Sequence, residues 1–298
     1  MTFIIAPDVG TYSTRTQYVT ANEFKAAPTG VDTSQLVPGG SVAANTQALE
    51  MQLQRASAWA DNFCNQTIAA TVNTQSGLWR VRNIPGVGPA IKVPLDFTPI
   101  LGVTDVQTGP QPSGLTELAD YTNLWISDKS VTIPVASCHA YGWWGSGSDM
   151  YATVQYVNGY ANTALTSPAA AGDTTLTVAS PLGIMPGQQI NVQGATGGET
   201  VTISPAWVPQ TTGIAVTVPI STPLVGSYLV GDTVTAFPQD IKQAIILIAK
   251  SLILVPGDQA LVIPVYGQQP TQSEQLAPQI TNDLDIAEDL LLPYRRVI

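Results

Sequence analysis

The chain has 298 residues, 44% of them hydrophobic but only 11% charged, against the ~25% charged residues of ordinary globular domains. The net charge is −10, and no Lys or Arg occurs between Ser130 and Lys242. This argues against a phosphate-gripping surface, because affinity for nucleic acid is built mainly from clustered Lys and Arg.

The start, Met-Thr-Phe-Ile-Ile-Ala-Pro-Asp, lacks the basic residues and the long apolar run of a signal peptide. Residues 1–19 read as an extended arm. Thr20-Ala-Asn-Glu23 is a capping-box pattern, so a short helix is expected over Ala21–Ala27, ended by Pro28. After a loop from Gly30 to Gly40, Ser41 caps a long helix running to about Thr67. Its stripe is Leu49, Leu53, Ala56, Ala60, Phe63 and Cys64, with Trp59 beside it. Cys64 and Cys138 lie far apart. A disulfide is one reading; a reduced, buried pair in a cytosolic chain is the favoured one.

Beyond Gln66 the period changes to two. Strands are expected at Leu78–Arg82, Ala90–Leu95, Pro99–Gln107, Asn123–Ser127, Ser130–Val135 and Tyr151–Val157. Residues 75–160 therefore read as an antiparallel sheet of short strands. A break in composition follows. Residues 166–235 are rich in Thr, Val, Gly and Pro, with strand-like runs between Gly-Asp and Pro-Gly turns. They suggest a small all-β barrel or compact sandwich. It is either an insertion into one domain or a second domain followed by a helical tail.

Phe237 to Val255 is an apolar helix with Pro238 and Asp240 in its first turn, where both are favoured. One face carries Ile241, Ala244, Ile245 and Ile248. Ile246, Leu247, Ile253 and Leu254 are apolar on the other sides, so the helix needs cover all round. Lys242, Lys250 and Asp240 interrupt it and argue against a membrane span. Residues 258–277 look extended. Pro278 is expected to open a last helix with Ile280, Leu284, Ala287 and Leu291 in its stripe and Asp283, Asp285, Glu288 and Asp289 off it. Pro293 ends it before Tyr294-Arg-Arg-Val-Ile298.

Candidate chemistry is sparse. Cys138 and His139 are adjacent, and neighbours on a strand point to opposite faces. Two Cys and one His cannot supply a usual structural zinc set. Asp283, Asp285, Glu288 and Asp289 lack the spacing of a calcium loop. Gly86-Val-Gly88 lacks the lysine and helix of a phosphate loop. Trp143-Trp144 could stack on bases or sugars, or serve the core or a subunit contact. Arg80 and Arg82 share one side of a strand and could meet a phosphate or a cross-strand carboxylate. No catalytic, cofactor or metal residues are assigned.

Three blocks, taken together, resemble a known family. They are Tyr18-Val-Thr-Ala-Asn-Glu-Phe-Lys25 leading to Arg55-Ala-Ser-Ala-Trp-Ala-Asp-Asn-Phe-Cys64; Val154-Gln-Tyr-Val-Asn-Gly-Tyr160; and Phe237-Pro-Gln-Asp-Ile-Lys-Gln-Ala244. Their order resembles the head-to-tail connector (adaptor) proteins of long-tailed bacteriophages. There, a helix ending near an Ala-Ser…Cys segment precedes a small sheet. A Tyr-x-x-Gly-Tyr strand end then leads through Pro-x-Asp-Ile/Leu-Lys-x-Ala into an apolar helix. The match covers roughly residues 18–160 and 236–255, and the β stretch 166–235 departs from the simple pattern.

The resemblance implies an α+β fold with four parts. Residues 1–40 form an arm and short helix, 41–165 plus 236–257 an adaptor core, 166–235 an inserted β module, and 258–298 a C-terminal arm and helix. It also implies a non-enzymatic ring, usually of twelve subunits, under the portal of the virion. The ring extends the DNA channel and carries the stopper or tail. Partners would be further copies, the portal, a stopper or tail-completion protein and DNA passing without sequence-specific binding, with no membrane. The family's use of its tails points to Tyr294, Arg295, Arg296, Val297 and Ile298 as the portal contact, and Ile246, Leu247, Ile253 and Leu254 are expected to meet a subunit neighbour. A second reading is another neck, head-completion or baseplate component with a carbohydrate-binding-like β module. A third is a glycan-acting enzyme using Trp143-Trp144.

Overall fold

The computed structural model describes residues 17–118, 121–127, 129–135, 147–195, 197–254 and 272–296, with the backbone alone for 272–281. The expected N-terminal arm up to residue 16, Cys138-His139, Trp143-Trp144, residues 255–271, Val297 and Ile298 lie outside the described residues. The chain forms an α+β fold of two compact units. One comprises Met1–Asn65 with Phe237–Arg295; the other comprises Gln66–Ala236 with Arg296–Ile298.

The first unit is helical. Helix α1 (Ala21–Ala26) starts at a complete capping box: Glu23 N–H donates to Thr20 Oγ1, and Thr20 N–H donates to Glu23 Oε2. Helix α2 (Val42–Cys64) is capped by Ser41, whose Oγ accepts from Ala44 N–H at 3.2 Å. It ends three residues before the expected Thr67, because Asn65 takes the left-handed conformation (φ 53°) and closes the last turn. Leu49, Leu53, Ala56, Ala60 and Cys64 are buried as the stripe requires, while Phe63 is half-buried. Cys64 is a free thiol, pushed up to about 12 first by burial and then by the charge of Asp61.

Helix α3 (Gln239–Leu254) buries Ile241, Ala244, Ile245, Ile248 and Ala249. Lys242 is also buried, and its Nζ meets Glu23 Oε1 at 2.7 Å. Helix α4 (Gln272–Leu291) begins six residues before Pro278, which therefore lies inside it and does not open it. Gln272-Ser-Glu-Gln-Leu-Ala277 upstream is mostly made of good helix formers. Asp283 also departs from expectation. It is buried rather than on the solvated face, because Lys250 Nζ lies 2.7 Å from its Oδ2 and needs the charge. Ala287 and Leu291 are buried as expected.

The second unit is built of sheets whose described strands pair antiparallel. Its first part has β1 (Thr71–Arg80), β2 (Arg82–Ile84), β3 (Gly88–Pro94), β4 (Ile100–Gly109), β5 (Thr116–Glu117), β6 (Trp125–Ser127), β7 (Ser130–Pro134) and β8 (Asp149–Asn158). They divide between two four-stranded sheets, β1-β8-β4-β5 and β2-β3-β7-β6. The run expected as one strand at 78–82 splits at Val81, which is buried in the shared core with Ile91, Val93, Val106, Ile133, Val154 and Tyr156. Gly159, after β8, has φ 90°, and a Cβ there would lie 2.6 Å from the Ala69 carbonyl oxygen. That is why the Tyr-x-x-Gly-Tyr end needs its glycine.

The remaining strands are β9 (Asn162–Ala164), β10 (Thr175–Val178), β11 (Gln189–Gly194), β12 (Gly197–Thr202), β13 (Val216–Pro219) and β14 (Thr233–Thr235). Sheets β12-β11-β14-β9 and β10-β13 share a core of Leu165, Leu176, Ile190, Val192, Ile203, Val218 and Val234. Strand β9, unforeseen in the sequence, pairs with β14 through Val234↔Thr163.

Breaking the Lys242–Glu23 pair should destabilise the chain. Side-chain exposures of 8% and 16% leave little water to take over. Glu23→Gln keeps the capping box but strands the ammonium, and should cost about 3 kcal/mol in urea unfolding. Adding Lys242→Met should recover most of that loss.

Candidate functional site

The C-terminal residues follow a short 3-10 turn, Leu292–Tyr294, that prolongs α4 with Pro293 inside it. The Tyr294 hydroxyl is raised above its ordinary pKa, by burial first and then by the charge of Asp240. The Arg295 guanidinium sits 5.2 Å from the centre of the Phe63 ring. Phe63 in turn stacks on Trp59, four residues back on α2, at 5.4 Å and 5°. This places a cation over an aromatic pair, an arrangement worth roughly 0.5–1 kcal/mol at exposed sites. Arg296 lies 3.2 Å from Asp96 Oδ2 and 4.5 Å from the Phe97 ring centre. The three described members of the arm are thus each held by contacts of the chain itself.

On α3, Ile246, Leu247, Ile253 and Leu254 are half-buried, in contrast to Ile241, Ile245 and Ile248. These four side chains keep part of their apolar surface open in the single chain.

Among the described residues, no group of three or more His, Cys, Asp or Glu could hold a metal ion. Asp285, Glu288 and Asp289 are exposed on α4, while Asp283 is paired inward. Gly86 and Gly88 (φ 81° and 87°) form the turn between β2 and β3. Arg80 and Arg82 are exposed, and Arg80 stands opposite Asp149 in the β1–β8 register. No helix among the described residues is long and apolar enough to cross a membrane.

The module of residues 161–236 uses its few carboxylates to organise turns. Glu199 Oε1 and Oε2 accept from Val225 N–H at 3.2 and 2.9 Å, and Oε1 accepts from Gly226 N–H at 3.0 Å. Burial pushes this carboxyl up. The two backbone donors and the Tyr228 hydroxyl outweigh burial and hold it below the ordinary 4.5. Tyr228 is pushed up to about 12 by burial and by its bond to Glu199. Asp173 accepts from Ala170 N–H and Asp232 from Leu229 N–H, each at 2.8 Å. Only the isolation of these acids in an almost uncharged stretch could have marked them in the sequence. Val208, Ile214, Val225, Leu229 and Val230 are exposed in the same module.

No protein-family model matches the chain, and no curated protein matches it. Among solved structures it is similar to one described as "Neck of empty GTA particle computed with C6 symmetry". The identity is 13%, the TM-score is 0.35, and 94% of each chain is covered. At that TM-score the likeness assigns neither a family nor a function.

Because its folded pKa is depressed, Glu199 contributes stability that is present above 4.5 and lost as pH falls through the lower folded value. Glu199→Gln removes this component. Thermal melts against pH should show the wild type losing stability below 4.5 more steeply than the variant. Parallel curves would contradict the assignment.

Proposed function

We propose that the chain is a structural head-to-tail adaptor of a tailed-phage virion. Copies form a ring, of twelve by the resemblance, beneath the portal. The ring extends the DNA channel and offers a platform to the stopper or tail. The observation that supports this most is the meeting in space of the first and third blocks that resemble the connector family. Tyr18 N–H donates to Ser57 Oγ at 3.1 Å, its hydroxyl donates to Asp61 at 2.8 Å, and its ring lies 4.6 Å from that of Phe237. Glu23 of the first block holds Lys242 of the third. Motifs that are degenerate one by one thus build a single helical core.

Charge supports the same reading. The net charge is −10, and Lys242, Lys250 and Arg296 are neutralised within the chain. The acidic balance suits a conduit through which DNA slides. The half-buried face of Ile246, Leu247, Ile253 and Leu254 supplies apolar surface for a neighbouring copy.

Phage particles lacking this chain should accumulate as filled heads without tails. The full chain should restore tails, and a chain lacking 293–298 should not, although its melting curve stays close to that of the full chain. Tail attachment by the shortened chain would remove the portal role of Tyr294, Arg295 and Arg296. Normal tails without any copy would remove the adaptor reading.

A further inference from the structure

We infer that the sheet β1-β8-β4-β5 is extended by a second copy of the chain, the β1 edge of one subunit meeting the β4–β5 edge of the next. This deepens the ring reading and rests on it.

Strand β1 is at one end of the sheet order. It pairs with β8 through ten consecutive partners, from Thr71↔Asn158 to Arg80↔Asp149, with no shift in register. In an antiparallel pair about half of the backbone N–H and C=O groups point away from the partner strand. No described strand pairs with them, and they form a rail roughly 33 Å long. Long edges are ordinarily blunted by proline, lysine or a bulge, and Thr71–Arg80 has none of these. Its free end carries Arg80, followed by Arg82 on β2, both exposed. Among the described residues the ion pairs are Lys242–Glu23, Lys250–Asp283 and Arg296–Asp96, so neither arginine is in a described ion pair, although Asp149 stands opposite Arg80 in the register.

The opposite edge is acidic and broken. Strand β4 shifts register twice, between Ile100/Gly102 and Val103/Asp105, and β5 has only two residues. Asp105 and Glu117 converge on one hydroxyl, that of Tyr121, at 3.4 and 3.5 Å. A single hydroxyl proton cannot satisfy two carboxylates, and the Gln107 amide, 2.9 Å from Asp105, adds no charge. No described cation pairs with either acid. The sheet therefore has Arg80, with Arg82 just beyond it on β2, at one edge and the carboxylates of Asp105 and Glu117 at the other.

Joining unlike edges satisfies both. Joining two β1 edges about a two-fold axis would leave Asp105 and Glu117 uncompensated. A head-to-tail contact leaves one free edge at each end, so it propagates and closes into a ring when the rotation allows.

The test is charge reversal on the full chain, read by analytical ultracentrifugation. The wild type should associate in a concentration-dependent way that weakens with salt. Arg80→Glu with Arg82→Glu, and separately Asp105→Lys with Glu117→Lys, should each weaken self-association at least ~10-fold. Mixed together, these two variants should associate again, since their intact edges match each other and so do their reversed edges. All four changes in one chain should restore self-association. This recovery on mixing is a gain that a folding defect cannot produce. If the reversals lower the melting temperature, Arg82→Ser and Glu117→Gln should weaken association in the same direction. Single-edge variants that associate like the wild type, a mixture that stays monomeric, or a wild type that never associates would each overturn the proposal. A ring seen at the portal despite these results would leave the adaptor reading standing.

Discussion

Helix α3 brings two lysines into a shell of apolar side chains, and the helical unit is arranged so that each is neutralised. Lys242 is met by Glu23 just inside α1, and Lys250 by Asp283 within α4. A helix that is apolar on nearly every side must be covered, but apolar cover alone does not fix how the covering helices slide or turn. A buried ammonium that loses its carboxylate costs several kcal/mol, so each pair sets a position. Glu23 does two tasks with two oxygens: Oε2 closes the capping box of α1, and Oε1 meets Lys242. The existence of α1 and its place against α3 are thus tied to one side chain.

The sheet-built unit solves a different problem with less charge. Its registers follow from alternating side chains and from backbone turns that need glycine, as at Gly159. Within residues 161–236 the acids Asp173, Glu199 and Asp232 hold loop amides. The same stretch exposes apolar side chains, among them Val208, Ile214 and Val225. Lys242 and Lys250 are thus neutralised inside the helical unit, and three acids are held inside the turns of the β module.

Features set by neighbours in sequence were legible. The Thr20 capping box, the Ser41 cap, the α3 helix and the strong β8 pattern all depend on a few consecutive residues, and each is present in the fold. Features set by distant partners were not. Asp283 looked like one more acid on a solvated face until Lys250 is placed beside it. The split at Val81 depends on a core supplied by other strands. Strand β9 has three residues and exists because β14 pairs with it. The early start of α4 comes from helix-forming residues ahead of Pro278, the residue that otherwise looks like a start signal. For the candidate site, the order of the three blocks was legible, but not that Tyr18 spans them by reaching Asp61 and Phe237. The free apolar surface of Ile246, Leu247, Ile253 and Leu254 was readable as a surplus on α3, because helical spacing shows which side chains the main stripe leaves over.

The most direct test is a cryo-electron-microscopy reconstruction of portal-bearing particles assembled with this chain. The account predicts a closed ring of copies at the portal vertex, with the DNA channel through its centre and the residues around Arg295 and Arg296 against the portal. Density for the chain at a baseplate or on the capsid exterior, or single copies with no ring, would contradict it.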